Sequence, residues 1–241
     1  MLLRTLLVTA ALLAGVNAHA AGGGAHFEKQ EWSFQGLRGD WDQNQIFRGY
    51  KVATQVCLAC HSFKYVSHRD FTRLGWTEDQ AKALAAELSL TPDQKLISAL
   101  SPEDAKETYG KEMPDLSVMT KARAGGADYV FALLTHYVPE DEIPADIKAT
   151  MLPGTHYNPI FTGGVIAMPN PLNDGQVEYP EGAPEATVEQ MARDVAAFMA
   201  WTAEPERVDR QNLGVYVLLY LVIFAGLSFM VMKRIWRNVK K

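Results

Sequence analysis

The hydrophobic positions along this chain change period several times, and each change marks an element. Leu6 to Val16 is an apolar run behind the short basic start Met1-Leu2-Leu3-Arg4, and Ala18-His19-Ala20 follows as a small-residue cleavage site. That order predicts a secretory signal peptide over residues 1–20. After the flexible Ala21-Gly22-Gly23-Gly24, the aromatic residues Trp32, Phe34 and Trp41 predict a segment packed onto a domain. Ile46, Tyr50, Ala53, Val56 and Cys57 recur at helical spacing, so a helix is expected from about Gln43. Thr77 with Gln80 three residues later forms a capping box for a helix reaching about Leu90. Thr91-Pro92-Asp93-Gln94 and Ser101-Pro102 each put proline at a first helical position and predict two more helix starts. Tyr129, Val130, Leu133, Leu134 and Tyr137 form the stripe of a further strong helix.

From Pro139 to Pro184 the periodicity fades. Eight of the twelve prolines fall here, so the region reads as a long irregular loop. Its residues Tyr157, Ile160, Phe161, Val165 and Ile166 predict an ordered wrap around something large and flat. Thr187 and Gln190 then start a last soluble helix, with Val188, Met191, Val195, Phe198 and Met199 inward and Pro205 ending it. Leu213 to Met232 is a run of twenty residues without a charge, long enough to cross ~30 Å of hydrocarbon. Lys233, Arg234, Arg237, Lys240 and Lys241 follow, and positive flanks stay on the cytoplasmic side. The expected organisation is a signal peptide over 1–20, an exported domain over 21–206, a membrane helix over 207–232 and a basic cytoplasmic tail over 233–241. The fold class is mainly α with long irregular loops.

A chain of 241 residues allows one or two domains with a sizeable core. All 28 acidic residues lie within 22–212, against 17 of the 23 basic ones, so the exported domain carries about −11. Such a domain repels nucleic acid and would attract a basic protein partner.

The chemistry concentrates in Cys57-Leu58-Ala59-Cys60-His61. Two cysteines three apart with histidine directly after the second is the pattern of covalent haem attachment. On a helical turn both thiols share a face and can each form a thioether with a haem vinyl group, while His61 offers a ring nitrogen to the iron. A redox dithiol would sit at a helix start after a strand, whereas these cysteines lie towards a helix end. A zinc site needs two more ligands, and His68 is the only nearby candidate. A structural disulfide leaves His61 unexplained. The two cysteines are the only ones in the chain. An electron carrier needs a sixth iron ligand, and methionine there raises the potential. Met113 and Met168 stand out among nine methionines because each precedes proline in a loop, and spacing does not choose between them. His136 and His156 are the histidine alternatives.

Several longer stretches carry a family resemblance. They run from Arg48-Gly49-Tyr50 through the cysteine motif to Tyr65-Val66, then Pro114-Asp115-Leu116-Ser117, Ala122 to Phe131, Asn158-Pro159, Gly164 to Pro169, and Ala203-Glu204-Pro205-Glu206. In these the chain resembles the cytochrome c1 family, the haem subunit of the quinol–cytochrome c reductase (cytochrome bc1) complex, over nearly its whole mature length. The resemblance implies a c-type cytochrome domain with one covalent haem c on Cys57, Cys60 and His61. It puts the distal ligand at Met168, a haem-propionate arginine at Arg123 and a nearby tyrosine at Tyr129. It implies electron transfer from a Rieske iron–sulfur protein to a cytochrome c, beside cytochrome b, in the bacterial inner membrane with the haem domain periplasmic. Catalytic chemistry would belong to the assembled complex. The rival readings are another anchored c-type carrier, such as an oxidase haem subunit, and a ligand-binding haem sensor.

Overall fold

The structure is a computed structural model that describes residues 26–36 and 39–237. The expected signal peptide and the last tail residues, 238–241, lie outside the described residues. Helix α1 (Gln43–Gln55) starts on Asp42, whose carboxylate accepts from the backbone N–H groups of Asn44 at 2.9 Å and Gln45 at 3.1 Å. Ile46, Tyr50 and Ala53 face inward as expected. The helix stops at Val56 and tightens into a single 3-10 turn, Cys57–Ala59.

Strand β1 (Phe63–Ser67) pairs antiparallel with β2 (Lys95–Leu96) across a bulge. Between them lie a 3-10 stretch, His68–Leu74, and helix α2 (Glu78–Glu87). The capping box of Thr77 and Gln80 is present, with both bonds made at 2.8 and 3.2 Å. The helix ends before the expected Leu90, because Ser89 takes a left-handed φ of 57°. Thr91–Gln94 does not start a helix. The Gln94 amide closes a turn on the Thr91 carbonyl, and the next residues are drawn into β2 by pairing with β1. Ser101-Pro102 does start one, α3 (Pro102–Tyr109). The same local signal therefore has two outcomes, decided by a strand partner some thirty residues earlier.

Short helix α4 (Met119–Ala122) precedes α5 (Ala127–Thr135). The inward face of α5 is Ala127, Val130, Phe131, Ala132 and Leu134, so of the expected stripe Val130 and Leu134 are buried while Tyr129, Leu133 and Tyr137 are half-buried. Tyr137 lies beyond the helix end. The proline-rich stretch is irregular as expected, holding one turn of helix, α6 (Ala145–Lys148), and a minimal hairpin, β3 (His156–Tyr157) with β4 (Val165–Ile166). Within it Ile160 and Ile166 are buried, while Tyr157, Phe161 and Val165 are half-buried.

Helix α7 (Val188–Ala203) organises the core by packing against α1, α4 and α5. Its Phe198 and Trp201 are fully buried among Phe63, Phe71 and Tyr50, with neighbouring rings 4.9 to 6.4 Å apart. The crossing with α1 is close enough that only glycine fits at position 49. A Cβ there would stand 2.1 Å from the Asp194 carbonyl oxygen. One residue away, Arg48 makes a two-pronged pair with the fully buried Asp194, at 2.8 and 3.0 Å. Gln190 also donates to that carboxylate at 3.0 Å, so the buried charge is well satisfied.

Only Glu204, Pro205 and Glu206 separate α7 from α8 (Arg207–Trp236), a thirty-residue helix. A mean hydropathy of 2.4 over its best window and the absence of burial set it apart from a core helix. Lys233 and Arg234 sit in its last turn, so the expected division at 232 falls inside one continuous helix. At its start, Glu204 accepts from Lys121 at 2.5 Å and from Arg210, tying helix, joint and domain together. Gln211 adds a bond of 3.1 Å to the Gly36 carbonyl.

Candidate functional site

The cysteine motif occupies a tight turn. The Cys57 carbonyl accepts from the backbone N–H of both Cys60, at 3.1 Å, and His61, at 2.8 Å. Both cysteines are free thiols and half-buried. Burial pushes the Cys57 thiol up to about 12, so it stays protonated at neutral pH. Ser98 and Ala99 pin the same turn through bonds to the Ala59 and Leu58 carbonyls.

His61 is oriented from behind. Its Nδ1 lies 2.9 Å from the Pro114 carbonyl oxygen. A carbonyl can only accept, so the proton sits on Nδ1 and the lone pair of the neutral ring is left on Nε2. Burial lowers the His61 pKa, which the Pro114 carbonyl and Asp115 partly oppose, and the neutral ring is favoured. The Pro114 segment is itself fixed. Leu116 donates to the Ser62 carbonyl at 2.9 Å, Lys64 to Asp115 at 2.9 Å and Tyr65 to the Ser117 hydroxyl at 3.1 Å. The fully buried Ser117 in turn accepts at its carbonyl from Thr202 of α7 at 3.1 Å. The imidazole is thus referenced to the core through two carbonyls.

The other expected residues are spread over two further segments. Met168 follows β4 by two residues, is half-buried and packs against the core. Its carbonyl accepts from the Tyr137 hydroxyl at 3.1 Å. Met113 is also half-buried and immediately precedes Pro114. The Nδ1 of His136 is within 2.9 Å of the Ala132 carbonyl at the end of α5, and His156 lies in β3. Arg123 is exposed and donates to the neighbouring Ala122 carbonyl at 3.1 Å. Tyr129 is half-buried on α5, one turn on, its ring edge-on to Phe27 at 6.1 Å. Gly125 makes this turn possible, with a φ of +91° and Phe27 where a side chain would go. Among the described residues no group of three or more His, Cys, Asp or Glu could hold a bare metal ion.

Three contributors were not anticipated. The Pro114 carbonyl acts across 53 residues and Tyr137 across 31, and backbone acceptors leave no mark in a sequence. Asn158, fully buried, binds the Leu133 carbonyl through its side chain at 2.7 Å and so locks the β3–β4 hairpin onto α5. Asn158 followed by Pro159 in a proline-rich loop was the available signal.

Comparison with known proteins shows the family. A family profile described as Cytochrome C1 family matches residues 32–239. A protein of Rhodospirillum rubrum named cytochrome c1 is 35% identical, with 98% of this chain and 97% of that protein covered. Cytochrome c1 2, heme protein, mitochondrial, of Arabidopsis thaliana is 40% identical over 87% of this chain and 72% of its own length. A Candida albicans protein named cytochrome b-c1 complex catalytic subunit, mitochondrial, is 38% identical over 92% of this chain and 81% of that protein. With a matched profile over most of its length and a relative aligned nearly end to end, the chain belongs to the cytochrome c1 family.

Proposed function

We propose that this chain is the haem-bearing subunit of a cytochrome bc1 complex, moving single electrons from a Rieske iron–sulfur protein to a c-type cytochrome. The observation that carries the reading is the His61–Pro114 bond, which fixes the ring and leaves Nε2 free as a ligand, next to two free thiols on the same turn. Two thiols, an imidazole with one free nitrogen and a thioether form a donor set that fits one haem c. Cys57 and Cys60 would each add S–H across a vinyl group, giving two thioethers, and His61 Nε2 would bind the iron. Bound haem supplies a one-electron iron couple, whose potential a methionine ligand raises.

The remaining roles follow from position. Met113 adjoins Pro114, whose carbonyl holds His61, while Met168 stands on the separate β3–β4 arm against the core, so Met168 would be the thioether that completes the donor set. Arg123 would pair with a propionate through its guanidinium fork, with Tyr129 beside it. The chain supplies attachment, orientation and a dry apolar surround; it needs no acid, base or nucleophile of its own. The Candida relative's name refers to a cytochrome b-c1 complex, which supports a place in such a complex; cytochrome b and the Rieske protein would be its neighbours there. Helix α8 would cross the inner membrane in contact with lipid, with the haem domain periplasmic and the basic end cytoplasmic.

The full-length chain, matured with haem, should carry haem stain on a denaturing gel and co-purify with cytochrome b and a Rieske protein. Cys57→Ala with Cys60→Ala should abolish the stain. Isolation with neither partner would favour a different anchored carrier, such as an oxidase haem subunit. Reduced iron that binds carbon monoxide readily would favour a sensor. Met168→Leu should drop the potential, on the order of hundreds of millivolts within the ~0.8 V open to axial ligands, while Met113→Leu should not. A reversed pair of results would move the ligand to Met113.

A further inference from the structure

Resting on the assignment of Met168 as the distal thioether, we propose that Tyr137 is a positioning residue for that ligand. It holds the Met168 backbone so that the sulfur stays where the iron needs it. Tyr137 leaves the end of α5 just after His136, and its half-buried hydroxyl donates to the Met168 carbonyl at 3.1 Å. Among the described residues this is the only hydrogen bond made to residues 167–169. Strand pairing ends at Ile166, and Pro169 and Pro171 have no N–H to offer.

The neighbouring bonds show why one hydroxyl matters. The base of the β3–β4 hairpin is joined to the end of α5 at two points. Val138 donates to the Tyr157 carbonyl at 3.2 Å, and Asn158 donates to the Leu133 carbonyl at 2.7 Å. Both points lie on the incoming strand or its turn. Among the described residues, the only hydrogen bond that ties the outgoing arm, which carries Met168, back to the same helix end is that of Tyr137. A thioether is a weak neutral donor, so its hold depends on how little freedom its own backbone has. Removing the hydroxyl leaves a carbonyl without its partner and releases the arm while the hairpin base stays docked.

Displacement of the distal ligand by added imidazole tests this in the full-length, haem-loaded chain in detergent. The readout is the weak red-edge absorption that ferric iron shows only with a sulfur ligand. Tyr137→Phe keeps the ring and removes the hydroxyl. It should raise the apparent equilibrium constant for displacement about tenfold, the size of one lost hydrogen bond, with an unchanged reduced spectrum. Tyr109→Phe, an exposed tyrosine at the end of α3, is the control and should match the unaltered chain. An unaltered imidazole titration in Tyr137→Phe, with the sulfur band present, overturns the positioning role and leaves Met168 as ligand. If the unaltered chain lacks the sulfur band and Met168→Leu changes nothing, the ligand assignment itself fails and the proposal falls with it. A Tyr137→Phe protein that unfolds at lower denaturant but titrates normally also overturns it, because the hydroxyl would then serve the fold and not the ligand.

Discussion

His68 shows how one side chain ties the fold to pH. It is fully buried, its Nε2 lies 2.9 Å from the Tyr50 hydroxyl, and among the described residues its Nδ1 has no hydrogen-bond partner. Burial lowers its pKa below the ordinary 6.5, so the native ring stays neutral where the unfolded one takes up a proton. The unfolded state therefore binds more protons below 6.5, and stability falls as pH drops from there towards the native value, by at most about 1.4 kcal/mol per pH unit. Denaturant titrations at a series of pH values should show this loss, and His68→Gln should flatten it. The carboxylates of Glu112 and Glu204 act in a separate, more acid window, since their partners hold them below 4.5. At this scale the sequence displays side-chain identity, as in the Cys57-Leu58-Ala59-Cys60-His61 motif, which the structure builds as one tight turn. It was silent where function rests on what a backbone carbonyl faces, as at Pro114.

Among the elements, the α1–α7 crossing is the most constrained contact. An added methyl at Gly49 would meet the Asp194 carbonyl at 2.1 Å and the Phe198 Cβ at 2.7 Å. Gly49→Ala gains up to ~1 kcal/mol of helix propensity, but forcing the helices apart costs about 1–3 kcal/mol or more. The substitution should lower the denaturation midpoint; a rise would show that the helices separate freely. Neither the glycine nor its neighbour Arg48 announced this, because the partner Asp194 lies 146 residues away. Helix starts were legible wherever the cap is local, as at Thr77, Ser101 and Thr187. Thr91-Pro92 misled because strand pairing with β1, invisible in a short window, outweighed its local chemistry. The α5 stripe was legible at Val130 and Leu134 and too wide at Tyr129 and Tyr137, whose rings are apolar enough to pass as core but are only half-buried.

For the whole molecule, the charge of about −11 over residues 22–212 should steer a basic cytochrome c towards it. The bimolecular rate of electron transfer to such a partner should fall as salt rises and the Debye length drops below ~10 Å. A rate flat across that range would remove steering from the account. The membrane helix was plain in the sequence because twenty uncharged residues need no partner to be recognised. How the domain meets that helix was not.

That meeting has a mechanical consequence. Three residues and the Lys121–Glu204–Arg210 cluster join domain to anchor, and Gln211 of the helix reaches back to Gly36. A flexible tether of a few dozen residues would let its cargo roam a hemisphere tens of ångströms across. A joint of three residues held at these points is far shorter and restricts that swing. The domain is then a post set close to the membrane floor. Any traffic across the gap to it must be carried by whatever arrives and leaves, and a donor or acceptor that cannot travel to the post cannot be served by it.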